Sequence, residues 1–450
     1  MNYLGKKCVV LGLGKSGLAA ARLLSEKGAI VSIVDSSNSK SLQEKRTLLS
    51  SKKIKVYLGA AAHNDPTHYD VAILSPGIEP TSPLVMNVTR KGTPLLGELE
   101  LACSFTSRPI IAITGTNGKT TTTELTTRAL QGSGLRPIAC GNIGLPFSEA
   151  VLLSDDLDLF VIEVSSFQLE GIETFHPHVA VWLNLTPNHL DRYQSMEEYR
   201  NAKLRIFKNL HENDIAVLPF SFNRASAGIK ARCITFSTTT QDADFSFAND
   251  LLFYQHKPFL NIQETQLRGL HNVENLMAAF AVGVALGKPL ESMCEAIKDY
   301  TPPEHRCERV AESEGVIWIN DSKSTTLDSL EKAILSIEKS HPIILIAGGK
   351  NKGSSFQPLL PLIQERVKAA ILIGELKQSI ACEWNAIRSY QSDSLEEAVT
   401  KAHELAMAGD TILFSPGTSS YDMFTDYQER GNSFKKAVAL TVNREATRKM

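Results

Sequence analysis

What constrains this chain most is a rhythm. Short β-branched apolar runs recur along it, each followed by a helical pattern: KCVVLGLG, AIVSIVD and DVAILSPG; then PIIAITG, DLFVIEVSS and VAVWLNL; then PIILIAGG, AAILIGE and DTILFSPG. Runs that are apolar at every residue suit strands covered on both faces, the condition of a parallel sheet flanked by helices. Three such series predict an α/β architecture of three domains, each built on a largely parallel sheet. The length of 450 residues agrees, since ~100–200 residues is the usual extent of one domain. Boundaries are expected near FTSRP (105–109) and at the adjacent prolines of YTPPEHR (300–306), dividing the chain into 1–106, 107–302 and 303–450. The stretch between about 243 and 267 reads as extended hairpin segments and is assigned to the middle domain.

Composition removes several function classes. The 47 basic and 49 acidic residues leave a formal charge of −2, without the basic excess that tracks a nucleic-acid backbone. Seven scattered cysteines, with no C-x-x-C pair, suggest neither a disulfide framework nor a zinc site and fit a reducing, cytosolic setting. No run reaches the ~18 apolar residues of a membrane span. The first residues imitate a secretion signal, but Lys15 interrupts the apolar stretch, so a strand, glycine turn and helix are expected instead.

The loop Gly115-Thr116-Asn117-Gly118-Lys119-Thr120 lies between a predicted strand, Ile110 to Thr114, and a predicted helix. Glycines let backbone N–H groups wrap an anion at the positive end of a helix, Lys119 reaches terminal phosphate oxygens, and the Thr120 hydroxyl suits Mg²⁺. Ile113 occupies the place of the first glycine of the full G-x-x-x-x-G-K-T pattern, so the motif is a shortened phosphate loop. The competing reading is a glycine turn with a surface lysine.

Near the start, Gly12-x-Gly14-x-x-Gly17 with Asp35 closing the next strand satisfies the context of a dinucleotide fold. Taken literally it predicts NAD-dependent hydride transfer. A diphosphate carrying a uridine makes the same physical demands, and tight helix packing alone also needs such glycines. Ser75-Pro76-Gly77 follows the third strand, where such sheets bind ligands, although a plain turn reads identically. Downstream, Glu163 ends a strand and suits Mg²⁺, or merely begins a helix. His189 and Asp191 occupy a loop and Lys203 a helix, where a structural histidine and a snorkelling lysine are the ordinary alternatives. Asn272 opens an apolar helix as a cap or a ligand. Arg306, Asp321 and Lys323 stand near element ends, for anion handling or as surface ion pairs.

Taken together, GTNGKTTT, EVSSFQLE, NHLDRY with Lys203, HN at 271, HR at 305 and NDSKSTT resemble the Mur ligase family over nearly the whole chain. The resemblance implies Rossmann-like amino- and carboxyl-terminal domains, for a uridine nucleotide and an amino acid, around a P-loop-type central ATPase domain. It implies ATP-driven addition of D-glutamate to UDP-N-acetylmuramoyl-L-alanine through an acyl phosphate, in peptidoglycan precursor synthesis, by a cytoplasmic monomer needing two Mg²⁺. Residue by residue it assigns ATP to Gly115, Thr116, Asn117, Gly118, Lys119, Thr120, Thr121, Asn272, Arg306 and Asp321, and metal to Thr120, Glu163, His189 and a carbamylated Lys203. The catalytic set is Lys119, Glu163, His189 and Lys203. Lys15, Ser16, Asp35, Ser75, Pro76 and Gly77 would take the uridine diphosphate; Asn142, Gln168 and His189 would contact the acceptor. Lys323, Thr325, Lys352, Ser420 and Tyr427 would receive D-glutamate. Three departures from the family pattern stand out: Thr326 for a common Asn, Tyr427 for Phe, and the pair Ser36-Ser37 for Thr-Arg. Sites spread from residue 12 to 427 imply domain closure during catalysis. A ligase of the same family with another amino acid, and a nucleotide-binding regulator without turnover, are the alternatives.

Overall fold

The computed structural model describes residues 2–50, 54–63, 67–189, 192–301, 303–351, 353 and 355–448. Three sheets with flanking helices make a three-domain α/β architecture. The first is fully parallel, in the order Lys55–Leu58, Ile30–Asp35, Lys7–Leu11, Val71–Leu74, Leu95–Gly97. Its central strands are buried and the helix Lys15–Glu26 covers them with Ala19, Ala20, Ala21, Leu23 and Leu24. That apolar stripe at helical spacing is what turns the segment after the glycines into a packed helix.

The second sheet has nine strands, and its phosphate-loop strand Ile110–Thr114 runs parallel between Val179–Trp182 and Leu159–Glu163. All three are buried along their whole length, as the continuous apolar runs require. At the far edge Phe245–Ala248, Leu251–Tyr254 and Lys257–Asn261 form antiparallel hairpins. Their two-residue turns, Asn249-Asp250 and Gln255-His256, take positive φ at both positions, the geometry that matches strand twist. The expected hairpins are therefore present over 245–261, and Ile262–Glu264 is a 3₁₀ turn.

The third sheet runs Glu308–Ser313, Val316–Asn320, Thr411–Phe414, Ile343–Gly348, Val367–Ile373, Ser389–Gln391, with only the first pair antiparallel. The first two sheets belong to one compact unit (Met1–Leu185, Ser195–Glu264 and Glu274–Asp299), and the third to another (Thr186–Gln194, Thr265–Val273 and Tyr300–Met450). Among the described residues no helix is long and apolar enough to cross a membrane, and all seven cysteines are free thiols.

Candidate active site

The phosphate loop leaves the buried strand at Thr114 and enters the helix Lys119–Gly132 at its amino end. Gly118 stands at the cap with φ +82°, and a Cβ there would lie 2.2 Å from the Asn275 Oδ1. Only glycine fits that left-handed, crowded position. Asn184 fixes the loop from the neighbouring strand end. Its Oδ1 accepts the N–H groups of Thr116 (3.1 Å) and Asn117 (2.9 Å), while its Nδ2 donates to the Asn117 carbonyl (3.1 Å). Asn275, buried beside the loop, accepts the Thr122 hydroxyl (3.2 Å). Sequence reasoning missed both asparagines; the signal for Asn184 was a polar residue just past a buried strand, at the end where such sheets bind ligands.

Two lysines converge on one carbonyl. Lys119 Nζ donates to the Gly115 carbonyl (2.9 Å) and the Thr116 carbonyl (2.7 Å), and Lys203 Nζ donates to the same Gly115 oxygen (2.8 Å). Lys203 is 1 % exposed and its ammonium lies over the Tyr199 ring at 4.8 Å. Burial, then the Lys119 charge, holds its pKa well below the ordinary lysine range, against the pull of Glu163. It is not a snorkelling side chain. Its helix is Met196–Leu204, followed by a 3₁₀ turn in which Ile206 and Phe207 are buried, while Leu204 is half-buried.

Glu163 links two regions. Buried at the end of Leu159–Glu163, it accepts the Thr120 hydroxyl on Oε2 (2.7 Å) and the Asn142 amide on Oε1 (2.7 Å). Asn142 in turn lines a cleft of about 500 Å³ with Lys15, Ser16, Asp35, Ser75, Pro76, Gly77 and Gln168, so the predicted uridine-diphosphate and acceptor residues of the first two sheets share one space. The Asp35 carboxylate accepts Leu13 N–H (2.8 Å) and Ser37 N–H (2.9 Å), which holds the glycine turn. Packing also needs the fingerprint: a Cβ on Gly17 would lie 1.9 Å from the Gly12 carbonyl oxygen. The Gln168 Oε1 is engaged by Ser165 N–H (2.9 Å) in the capping box of its helix.

His189 has φ +57° and its backbone N–H donates to the Asn188 Oδ1 (2.9 Å); its segment Thr186–Gln194 groups with the third sheet. Asn272 Nδ2 donates to the Arg268 carbonyl (2.8 Å) at the start of Leu270–Ala285. In the same unit Asp321 is buried and accepts Ser415 Oγ (2.8 Å) and Cys307 N–H (3.2 Å). Burial pushes its pKa up to about 7, with those hydrogen bonds and the charge of half-buried Arg306 opposing. Asp321 is buried, so the alternative reading of a surface ion pair does not describe it. Lys323 stacks its ammonium on the Tyr427 ring at 3.8 Å, so an aromatic ring serves whether or not it carries a hydroxyl. Thr325 is half-buried, Ser420 is buried, and Thr326 caps Leu327–Ser336 with a reciprocal Ser329 box. Arg430, absent from the sequence reading, is 1 % exposed and donates to Ser322 Oγ (3.1 Å), the Ser322 carbonyl (2.8 Å) and the Thr418 carbonyl (3.1 Å). Lys352 and Asp191 lie outside the described residues.

A phosphate loop joined through one carboxylate to a second polar cleft defines an α/β enzyme that presents a nucleotide's phosphates to another ligand. Comparison makes this specific. Residues 6–97 match the Mur ligase MurD-like N-terminal domain, 113–283 the Mur ligase middle domain, and 305–417 the Mur ligase glutamate ligase domain. The chain is 40 % identical over 447 residues to the UDP-N-acetylmuramoylalanine--D-glutamate ligase of Geotalea daltonii, covering 97 % of this chain and 98 % of that protein. It is 37 % identical over 453 residues to the protein of the same name from Koribacter versatilis, covering 99 % and 100 %. Among solved structures, the UDP-N-acetylmuramate-alanine ligase MurC of Thermotoga maritima shares the fold at TM-score 0.62 and 17 % identity over 98 % of this chain and 99 % of that one. A pseudomurein peptide ligase type C of Methanothermus fervidus does so at TM-score 0.62 and 18 % identity, over 97 % and 99 %. The chain belongs to the Mur ligase family.

Proposed function

We propose that this chain joins D-glutamate to UDP-N-acetylmuramoyl-L-alanine at the expense of ATP, in peptidoglycan precursor synthesis. The observation that carries the reading is the relay Asn142–Glu163–Thr120, which connects the cleft assigned to the acceptor with the loop assigned to ATP. Similarity over nearly the full chain to relatives bearing the D-glutamate ligase name supports the choice of amino acid. The glycine fingerprint is then a cradle for a uridine diphosphate, not for NAD.

A free carboxylate is a poor acyl donor. In this reading the alanyl carboxylate attacks the γ-phosphate of ATP, and the amine of D-glutamate displaces phosphate from the resulting acyl phosphate. Lys119 and the loop N–H groups offset charge as two anions approach, and the cleft holds the acceptor in line. Gly115 to Thr121, with Asn272, Arg306 and Asp321, are assigned to ATP; Lys323, Thr325, Lys352, Ser420 and Tyr427 to D-glutamate; His189 to the acceptor and metal. Mg²⁺, when bound, neutralises phosphate charge and orients the oxygens. The hard-oxygen pair Thr120 Oγ1 and Glu163 fits it. The burial of Lys203 and its lowered pKa favour the neutral amine that CO₂ needs for carbamylation, and the product is an anion fit for a second Mg²⁺. The three domains are taken as 1–106, 107–302 and 303–450, in a cytoplasmic monomer.

The test is phosphate release with UDP-N-acetylmuramoyl-L-alanine, Mg²⁺ and ATP. D-glutamate is expected to support turnover, and L-glutamate, L-alanine and diamino acids not to. No ATP consumption with D-glutamate would end the reading; turnover with another amino acid would move the chain to a sister activity.

A further inference from the structure

The cleft assigned to the acceptor has walls from two sheets, so its width depends on how the first sheet is seated on the second. One wall is Ser75–Gly77, which follows Val71–Leu74; that strand pairs with the edge strand Leu95–Gly97, with Leu74 opposite Gly97. The opposite wall is Asn142, Gly144, Pro146 and Gln168. At the end of that edge strand begins a short stretch that meets the second sheet's segments, Gly97-Glu98-Leu99-Glu100.

Each of its polar or small residues grips a central-sheet segment next to the cleft. A Cβ on Gly171 would lie 3.3 Å from the Gly97 Cα, so the two backbones touch, and Gly171 closes the helix Ser166–Glu170 that carries Gln168. Glu98, 2 % exposed, accepts Ser148 N–H on Oε1 (2.7 Å), in the first turn of the helix that begins just after Pro146. Glu100, 4 % exposed, accepts the N–H groups of three successive residues: Glu173 (2.9 Å) and Phe175 (3.0 Å) on Oε2, Thr174 (2.7 Å) on Oε1, with the Thr174 hydroxyl also on Oε1. A buried carboxylate with four donors is held by charge-assisted bonds and cannot leave without stranding its charge. The half-exposed Arg22–Glu149 pair at 3.2 Å, which also joins the two sheets, is worth far less.

We infer that Gly97, Glu98 and Glu100 form a latch that seats the first sheet on the second and so sets the width of the acceptor cleft. None of them lines the cleft; they are positioning residues. The inference rests on the reading of the cleft as the acceptor site. It implies that the nucleotide precursor enters a preformed site and binds without ATP.

The test compares wild type with Glu100→Gln, which keeps size but turns one acceptor oxygen into a donor facing backbone N–H groups, and Gly171→Ala, which keeps both carboxylates. Binding of UDP-N-acetylmuramoyl-L-alanine and of UDP is read by calorimetry without ATP, alongside KM for precursor and for ATP. A displaced wall costs up to ~10²-fold when contacts shift by an ångström, so Glu100→Gln should raise precursor Kd and KM about 10-fold and Gly171→Ala about 3-fold, with KM for ATP within about 2-fold. Amide exchange of 142–148 and 166–171 should quicken in the unliganded variants. A folded Glu100→Gln with unchanged precursor KM overturns the latch, as does a parallel rise in KM for ATP, which marks general loosening. If Glu100→Gln does not fold, Gly171→Ala decides on the same readings. If wild type binds neither UDP nor precursor, the functional reading fails, and the latch then stands or falls on the exchange of those two segments.

Discussion

Lys119 and Lys203 share the Gly115 carbonyl, yet their settings assign them different work. Lys119 stays half-buried at the loop, where a cation meets phosphate; Lys203 is sealed in and loses its charge readily. Lys119→Ala is therefore expected to lower turnover by on the order of 10²–10³, the usual cost of one preorganised electrostatic contact, as read by phosphate release. Near-normal release would remove Lys119 from the chemistry. Asp321 offers a test of a different kind. Its pKa is raised to about 7 in the fold, so the native state holds a proton that the unfolded chain gives up near pH 4. Native protein thus binds more protons between about pH 4 and pH 7, and the stability this contributes is full below that window and lost as pH rises through it. Asp321→Asn cannot titrate and keeps an acceptor for Cys307 N–H. From pH 5 to pH 7 wild type should lose on the order of 2 kcal/mol relative to that variant, measured by calorimetry. A constant difference across the window would show that Asp321 stays ionised.

At the scale of elements, the phosphate loop is a strand, a turn and a helix start held by asparagines from two other elements. Gly118→Ala sets a Cβ against Asn275 Oδ1 at a left-handed φ, so the loop must move. ATP affinity should fall at least ~10-fold, while the strand beneath, fully buried, keeps the domain folded. Calorimetric titration with ATP checks this, and unchanged affinity would mean that the loop's backbone does not contact phosphate. The helix Leu327–Ser336 makes a milder case. Its Thr326 cap replaces the asparagine common in the family, and both residues cap well, so Thr326→Asn should change stability by no more than ~0.5 kcal/mol. Such comparisons show what local pattern can reveal. The strand rhythm, the loop and the hairpins at 245–261 were legible because periodicity and turn chemistry are local. Glu163 was legible only as a choice between metal ligand and helix charge, since its bonds to Thr120 and Asn142 span 43 and 21 residues. The carboxylates of GELE look like ordinary first-turn charges in sequence, and Arg430 like a surface arginine. Their partners are brought by the fold, and no spacing rule announces them.

For the whole molecule, the assigned ligands draw on both compact units, and the acyl phosphate of the proposed reaction divides the chemistry into two stages. The acceptor cleft and the Lys119 loop lie in the unit of the first two sheets, whereas the residues assigned to D-glutamate lie in the unit of the third, together with His189 and with Asn272, Arg306 and Asp321 of the set assigned to ATP. Activation of the carboxylate and its capture by an amine are then distinct events with distinct ligands, and the first needs no amino acid. With ATP, Mg²⁺ and UDP-N-acetylmuramoyl-L-alanine but no D-glutamate, the protein should form ADP only up to about one equivalent, because no amine is present to displace phosphate from the bound acyl phosphate and free the site for another turnover. Adding hydroxylamine at that stage should release phosphate and yield the acyl hydroxamate, since a strong amine nucleophile takes the place of the missing amino acid. Mass spectrometry of the nucleotide product reads the outcome directly. If D-glutamate supports rapid turnover yet no hydroxamate forms and no ADP appears without it, the carboxylate is not activated in advance, and the two stages must be a single concerted event that waits for all three ligands.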